Sequence, residues 1–150
     1  MELFAEAVDA LQDNDDDESL KVRSLAMAYQ SYFMAWLGLA DEGYEIAEES
    51  VATLEKLDHP RALVFAYECL GVNAYFLYRY TEEIEVLNKM IKIATELEDK
   101  WLLAFALFGR GMGALIQEDY DEAKRLAEYN LRLYEETGDM IGTTTPLIIL

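Results

Sequence analysis

The few side chains suited to catalysis are scattered along this 150-residue sequence. An enzyme needs several polar groups that converge on one pocket. The only histidine, His59, stands beside Pro60 at a predicted helix start, where capping or exposure explains it. The only cysteine, Cys69, aligns with Gly109 when the sequence is compared with itself, so we expect a packed thiol and not a nucleophile. We therefore predict no catalytic residue and no enzyme.

Two further motifs resemble ligand-binding loops. The acidic run from Asp13 to Glu18 has the alternating acids of a calcium loop, but it lacks glycine at the sixth position and an acid at the twelfth, where Ser24 stands. The segment from Gly109 to Gly113 has the glycines of a phosphate loop, yet no strand precedes it and it lies inside a predicted helix. We interpret the first as a solvated loop and the second as a site of close helix approach, and we predict no metal and no cofactor.

The charge balance is strongly acidic. Thirty acidic and 12 basic residues give a net charge of -18, which would repel a phosphate backbone unless a basic patch intervened. The basic pairs Lys124-Arg125 and Lys89 with Lys92 are each flanked by acids. We therefore predict no direct nucleic-acid partner. The acids also fit solvated outer faces or a saline habitat.

Composition predicts one folded, cytoplasmic domain over residues 1–150. Hydrophobic residues make up 53% of the chain and charged residues 28%, and a lone cysteine cannot form an internal disulfide. The first residues lack the basic and apolar regions of a signal peptide. The segment from Ser24 to Ala40 is uncharged and near spanning length, but its polar residues and its place in a repeat lead us to predict no membrane contact.

The elements that position these residues repeat every 40 residues. A fixed period of this size indicates a stack of structural repeats, which usually presents an extended surface to a partner. The residues in register are Ala7, Ala47, Leu87 and Ala127; Leu11, Val51, Ile91 and Leu131; Ala26, Ala66 and Ala106; Ser31, Gly71 and Gly111; Met34, Ala74 and Ala114; and Tyr80 with Tyr120.

Two kinds of helix alternate within this period. Inner helices, apolar on every side, are predicted over 22–39, 62–78 and 102–116, and outer amphipathic helices over 2–11, 44–57, 81–97 and 121–136. Asp99, Gly138 with Asp139, and Pro60 supply helix punctuation. The predicted fold is all-α: a right-handed superhelical solenoid of antiparallel helix pairs, with about three full repeats and partial ones at both ends.

The small residues and tyrosines resemble the signature of tetratricopeptide repeats. The match consists of Leu70-Gly71, Ala74 and Tyr80, and in the next repeat Gly111, Ala114, Tyr120 and Ala123. The 40-residue period and turns such as Leu97-Glu98-Asp99 are similar to those of MalT-like bacterial regulators and related signalling proteins. Two features depart from the pattern: the usual tryptophan is absent at Tyr67 and Leu107, and Gly43 stands where the later repeat has Ala123.

This resemblance implies which residues do what. Helix packing within the stack would use Ala26, Ala66, Gly71, Ala74, Tyr80, Ala106, Gly111, Ala114, Tyr120 and Ala123. A concave partner-binding face would be formed by Tyr32, Trp36, Phe65, Glu68, Val72, Tyr75, Phe76, Phe105, Phe108, Met112, Leu115 and Ile116. Because this face is apolar, it suits an apolar or amphipathic protein segment. Tight curvature that buries these residues among themselves is the alternative.

The ends of the chain bear on its function. We expect residues Met1 to Leu11 to form an outer helix without its inner mate, and residues Met140 to Leu150 to start an inner helix that Pro146 breaks. Neither end resembles the polar cap that solenoids need. We expect either a longer parent protein or ends covered by another chain.

The predicted function is a protein or peptide interaction or sensor module of a signalling or transcription-regulating protein. A self-associating structural module, forming a homodimer, and the regulatory domain of a larger signalling enzyme remain alternatives.

Overall fold

The computed structural model describes residues 2–150, which form seven α-helices and two short 3-10 helices without any β-strand. The chain falls into two compact units, one ending at Val86 and one running from Leu87 to Leu150, and each is described by itself. The helices are α1 (Glu2–Ala10), α2 (Asp17–Trp36), α3 (Ala40–Leu54), α4 (Pro60–Phe76), α5 (Tyr80–Glu96), α6 (Lys100–Ile116) and α7 (Tyr120–Thr137), and the 3-10 helices are Gly142–Thr144 and Pro146–Ile148.

The N-terminal unit is a stack of consecutive helices. Helix α2 packs on α1, α3 and α4, and α3 also packs on α4. Ser24, Ala28, Ser31 and Ala35 form a fully buried stripe on α2 at spacings of three and four residues. Small side chains on one face let the neighbouring helices approach closely, so this stripe explains why an uncharged helix is an inner element.

The C-terminal unit is built on the pair α6 and α7, the latter also contacting both 3-10 helices. Its core contains Ala104, Leu107, Leu126, Leu133 and Tyr134, with Ile91, Trp101 and Leu103 packed against it.

The prediction of an inner helix beginning at Met140 is wrong. The segment forms the two 3-10 helices instead, with Pro146 at the start of the second. Proline has no backbone N–H, so at position 146 it cannot donate the hydrogen bond that continues an α-helix from the preceding turn. The Gly-Thr-Thr-Thr run at 142–145 adds poor helix formers, so the chain turns in short 3-10 steps.

A left-handed turn follows five of the seven helices, α2, α4, α5, α6 and α7, and is absent after α1 and α3. Gly38, Tyr78 and Glu118 follow the inner helices with φ of 81°, 59° and 61°, and Glu98 and Gly138 follow outer helices with φ of 53° and 73°. In each case the next residue donates its N–H to the carbonyl five residues earlier, as Arg79 does to Ala74 at 2.9 Å. These are Schellman turns. The 40-residue period is therefore a property of the backbone as well as of the side chains.

A buried polar contact also recurs between the repeats. The Ser50 hydroxyl donates to the Ser24 carbonyl at 2.7 Å, and the Asn130 amide donates to the Ala104 carbonyl at 2.6 Å. The donor residues Ser50 and Asn130 are 80 residues apart, which is two repeats. The repeat between them has the fully buried Met90 at the position equivalent to these donors. The same position can therefore be filled by a polar or an apolar side chain of suitable size.

Of the two glycines expected at close helix approaches, Gly111 is crowded and Gly71 is not. A Cβ atom at Gly111 would lie 2.9 Å from the Ile149 side chain and 3.7 Å from the Leu126 Cβ atom on α7. A Cβ atom at Gly71 would lie 3.9 Å from the Val86 side chain, an ordinary contact. At Gly43, in contrast, a Cβ atom would overlap the side-chain amide of Asn73. The sequence comparison singled out Gly43 only as a departure from the repeat pattern, because its partner Asn73 lies on another helix.

The predicted fold class, an all-α helical-repeat solenoid, is confirmed by seven α-helices that pack in consecutive pairs. Capping agrees with the sequence as well: the Asp99 carboxylate accepts the Leu102 N–H at 3.0 Å, and Pro60 begins α4. Within residues 2–150, no helix combines the length and apolarity needed to cross a bilayer.

Candidate protein-binding face

A continuous set of aromatic rings covers one side of the N-terminal unit. We call it the aromatic face. It consists of Phe4, Tyr29, Tyr32, Phe33, Trp36, Tyr75, Phe76, Tyr78 and Tyr80, each within ring-contact distance of another member.

Helix α2 supplies the first half of this face. Tyr29, Tyr32, Phe33 and Trp36 are three or four residues apart, so the helical period places them on one side. The ring of Phe4, from α1, stacks on Tyr29 at 5.9 Å and on Phe33 at 5.8 Å between centroids. The Tyr32 ring meets Phe33 edge-on at 5.6 Å and lies 6.3 Å from Trp36.

The second half comes from the end of α4 and the turn that follows it. Trp36 meets Phe76 edge to face at a centroid distance of 5.0 Å, which joins the two halves. Tyr75 then contacts Phe76 at 5.4 Å and Tyr80 at 6.3 Å, and Tyr78 contacts Tyr80 at 6.2 Å. The left-handed backbone at Tyr78 turns its side chain out of the helix and into this set.

Much of the aromatic face is open to solvent. Trp36 is 63% exposed and Tyr78 is 78% exposed, and Tyr29 and Phe33 are exposed as well. Leu37 and Leu39, in the turn after α2, extend the exposed apolar surface. Large contiguous apolar patches are uncommon on soluble proteins and mark sites of interaction.

The residues predicted for the concave face all retain some solvent access. Trp36 and Ile116 are exposed, and the other ten are half-buried: Tyr32, Phe65, Glu68, Val72, Tyr75, Phe76, Phe105, Phe108, Met112 and Leu115. Four of the twelve belong to the aromatic face. The sequence reasoning missed Phe4, Tyr29, Phe33 and Tyr78, although the three- and four-residue spacing on α2 could have pointed to Tyr29 and Phe33.

The residues expected to pack the repeats differ in their solvent exposure. Tyr80 is half-buried within the aromatic face, and Tyr120 is 63% exposed at the first position of α7. The others are buried: Ala26, Ala66, Gly71, Ala74, Ala106, Gly111, Ala114 and Ala123.

One carboxyl group interrupts the apolar surface of α4. Glu68 is half-buried and lies one turn before Val72, on the side of the helix that leads to Phe76. Burial, with a smaller contribution from the Glu83 carboxylate, raises the pKa of Glu68 to about 7. Within residues 2–150 the Glu68 carboxyl accepts no hydrogen bond and forms no ion pair, so its ionised form is poorly stabilised.

A compact polar cluster borders the aromatic face at the turn after α4. The Arg79 guanidinium lies 4.4 Å from the centre of the Tyr44 ring, and the Tyr44 hydroxyl donates to Glu82 Oε2 at 2.7 Å. Arg79 is also 3.6 Å from Glu82. Burial and the Glu82 carboxylate raise the pKa of Tyr44 to about 12, so the phenol stays protonated and donates throughout the neutral range. This cluster ties α3 to the turn that carries Tyr78.

The residues considered for catalysis are not assembled into a site. Cys69 is buried, and burial together with Glu68 raises the pKa of its thiol to about 12, which keeps it protonated and unreactive. His59 occupies the N-cap position of α4 without a side-chain capping bond. No three potential metal ligands cluster in the part of the chain that the structure describes.

The C-terminal unit has a shallow cavity of about 460 Å³ where α5, α6 and α7 meet. The Lys100 ammonium donates to Glu136 at 2.7 Å there, and the nearby Trp101 indole donates to Asp139 at 2.8 Å. These polar groups pair with each other and close the helix ends. The cavity is lined by Ala94, Thr95, Glu98, Asp99, Lys100, Leu103, Tyr129, Leu133 and Glu136.

Comparison with known proteins finds relatives among transcriptional regulators. The chain is 26% identical over 125 residues to proteins provisionally named HTH-type transcriptional regulators from Mycobacterium bovis and from two strains of Mycobacterium tuberculosis. The match covers 81% of this chain but only 14% of each relative, so the chain spans about a seventh of their length. None of the three is named as an enzyme. No family model matches the chain.

These relatives overturn one prediction. The sequence analysis excluded a direct nucleic-acid partner, but HTH-type regulators are proteins that bind DNA, so that exclusion is wrong. It was inferred from the net charge of 150 residues. The charge of one segment does not decide what a regulator about seven times longer contacts.

Proposed function

We propose that this chain is a tetratricopeptide-like interaction module of a transcriptional regulator, and that its aromatic face binds an apolar or amphipathic helical segment of a partner protein. The observation that carries the proposal is the row of nine contacting rings, with Trp36 and Tyr78 largely exposed. Tryptophan and tyrosine supply large, rigid contact areas and dominate the energy of protein interfaces.

The shape of the partner follows from the arrangement of the rings. They follow the exposed side of α2 and cross to the end of α4 through the contact between Trp36 and Phe76. A helix laid on such a surface buries its apolar side chains at three- and four-residue spacing against the rings. The similarity to transcriptional regulators supports a role for this contact in regulation.

A designed peptide tests the proposal. An 18-residue helical peptide with leucines on one face and glutamines on the other, carrying no net charge, is titrated into the protein and followed by fluorescence anisotropy. We expect binding by the parent chain and at least tenfold weaker binding by Trp36→Ser. The matched control is Tyr129→Ser, which removes an exposed ring of the C-terminal unit that belongs to neither the aromatic face nor the predicted concave face, and which we expect to bind like the parent.

Sedimentation analysis of the same variants identifies self-association. A dimer that dissociates on Trp36→Ser, together with no peptide binding, would replace the proposal by the alternative of a self-associating module. Equal peptide affinity of the parent and Trp36→Ser would refute a role for the aromatic face.

A further inference from the structure

Glu68 is a carboxylic acid in an otherwise uncharged stretch of the inner helices of the N-terminal unit. No other ionised residue occurs between Leu63 and Tyr78 on α4 and the turn after it, and none occurs between Ser24 and Ala40 on α2 and its turn. Placing a carboxylate in such surroundings is costly unless an opposite charge compensates it. Within residues 2–150 no such partner contacts Glu68.

A second carboxyl group lies close to the first. Glu83, on α5, is 8% exposed and interacts electrostatically with Glu68. Both acids belong to the middle repeat alone. The positions equivalent to Glu68 are Ala28 and Phe108, and those equivalent to Glu83 are Gly43 and Ala123. Packing of the repeat therefore does not require either acid, since the other repeats are built without them.

The chemistry that Glu68 and the neighbouring aromatic face would recognise is cationic. Two carboxyl groups attract a positive charge, and aromatic faces add cation–π attraction. The N-terminal unit already pairs a guanidinium with a ring and a carboxylate, where Arg79 lies over Tyr44 beside Glu82. The unit as a whole carries 19 acidic and 5 basic residues, a net charge of -14.

We propose that the segment bound by the aromatic face is a basic amphipathic helix, and that it inserts a lysine or arginine side chain against Glu68. The proposal rests on the proposed function, and it adds the chemical class of the partner. The leucine-like positions of the segment would cover the rings, and the inserted cation would pair with the carboxyl group that has no partner of its own. The strongly negative field of the unit would favour the approach of such a segment.

The test uses two lysine peptides of equal net charge. Both derive from the uncharged leucine-glutamine helix described above. In the first, one central leucine of the apolar face is replaced by lysine, and in the second, one central glutamine of the polar face is replaced by lysine. General attraction to an acidic protein is the same for both, whereas a lysine within the apolar face is favoured only where a carboxylate meets it.

We expect the peptide with lysine in its apolar face to bind the parent chain about tenfold tighter than its isomer at pH 8. Glu68→Gln should remove this preference, and Glu85→Gln, which removes an exposed acid of the same unit, should keep it. Circular dichroism checks that both variants are folded.

Three other outcomes overturn the proposal, and they separate it from the function on which it rests. If the uncharged peptide binds and the isomers bind equally, the aromatic face is a docking site but Glu68 is no cation site. If the preference survives Glu68→Gln, another group receives the lysine. If none of the three peptides binds, both the proposed function and this proposal are wrong.

Discussion

The two units share one backbone repeat but present different surfaces. The N-terminal unit has exposed, contacting aromatic rings and a net charge of -14, whereas the C-terminal unit has a single aromatic residue at the equivalent positions, Tyr120, and a net charge of -4. The Schellman turns after the inner helices recur in both. The small buried residues and the turns therefore maintain the repeat, and the side chains that face outward are free to differ.

Gly43 of the N-terminal unit stands at the position that Ala123 has in the C-terminal unit. We expect Gly43→Ala to lower the free energy of unfolding by about 2 to 3 kcal/mol, because the new methyl group overlaps the Asn73 amide in a packed interior. Urea denaturation measures the change. Gly71→Ala is the matched control: a Cβ atom has room there, and exchanging glycine for alanine inside α4 should raise the free energy of unfolding by about 0.5 to 1 kcal/mol. Equal effects of the two substitutions would contradict the crowding at Gly43.

The acid that distinguishes the middle repeat gives a pH-dependent effect. Because folding raises the pKa of Glu68 from 4.5 to about 7, the folded state binds a proton more tightly and loses stability as the pH rises from about 4.5 to 7. Glu68→Gln should therefore raise the free energy of unfolding by about 1 to 2 kcal/mol at pH 8 and by little at pH 4. Urea titrations at the two pH values, with Glu85→Gln as control, provide the measurement. A gain at pH 4 as large as that at pH 8 would exclude an ionisation effect.

The starts of α4 and α6 offer a comparison of helix caps. Asp99 accepts the Leu102 N–H at 3.0 Å, but His59, its counterpart 40 residues earlier, makes no side-chain capping bond. We expect Asp99→Ala to lower the free energy of unfolding by about 1 kcal/mol and His59→Ala to change it by only a few tenths. Thermal and urea unfolding measure both. A loss at His59 matching that at Asp99 would indicate a capping role that the structure does not contain.

The smallest expected effect concerns the turns. Glu118 adopts a left-handed backbone with φ of 61°, where Gly38 stands in the first repeat. Replacing Glu118 with glycine should raise the free energy of unfolding by about 0.5 to 1 kcal/mol, because the steric strain of a side chain in this conformation is removed. Gly38→Ala should have the opposite effect. If Glu118→Gly is destabilising, interactions of the glutamate side chain outweigh the strain.

The helical repeat could be predicted from the amino-acid sequence alone. Period, apolar pattern and caps are local properties, so Pro60, Asp99 and Gly138 were identified at helix ends and the inner and outer helices could be told apart. The resemblance to tetratricopeptide repeats, and not the local pattern, led to the prediction that Trp36, Tyr75 and Phe76 belong to an apolar surface. The local pattern also predicted an inner helix that starts at Met140 and is broken by Pro146, whereas the segment forms two 3-10 helices.

The contacts between side chains of different helices could not be predicted and are known from the tertiary structure. The ring contact between Trp36 and Phe76 joins residues 40 positions apart, and the crowding of Gly43 by Asn73 joins α3 to α4. Within residues 2–150 no cation pairs with the Glu68 carboxyl, and this too depends on which helices pack around it. Such contacts follow from how helices pack, and a single sequence does not specify that geometry because side chains from distant positions must be placed together to within a few ångströms.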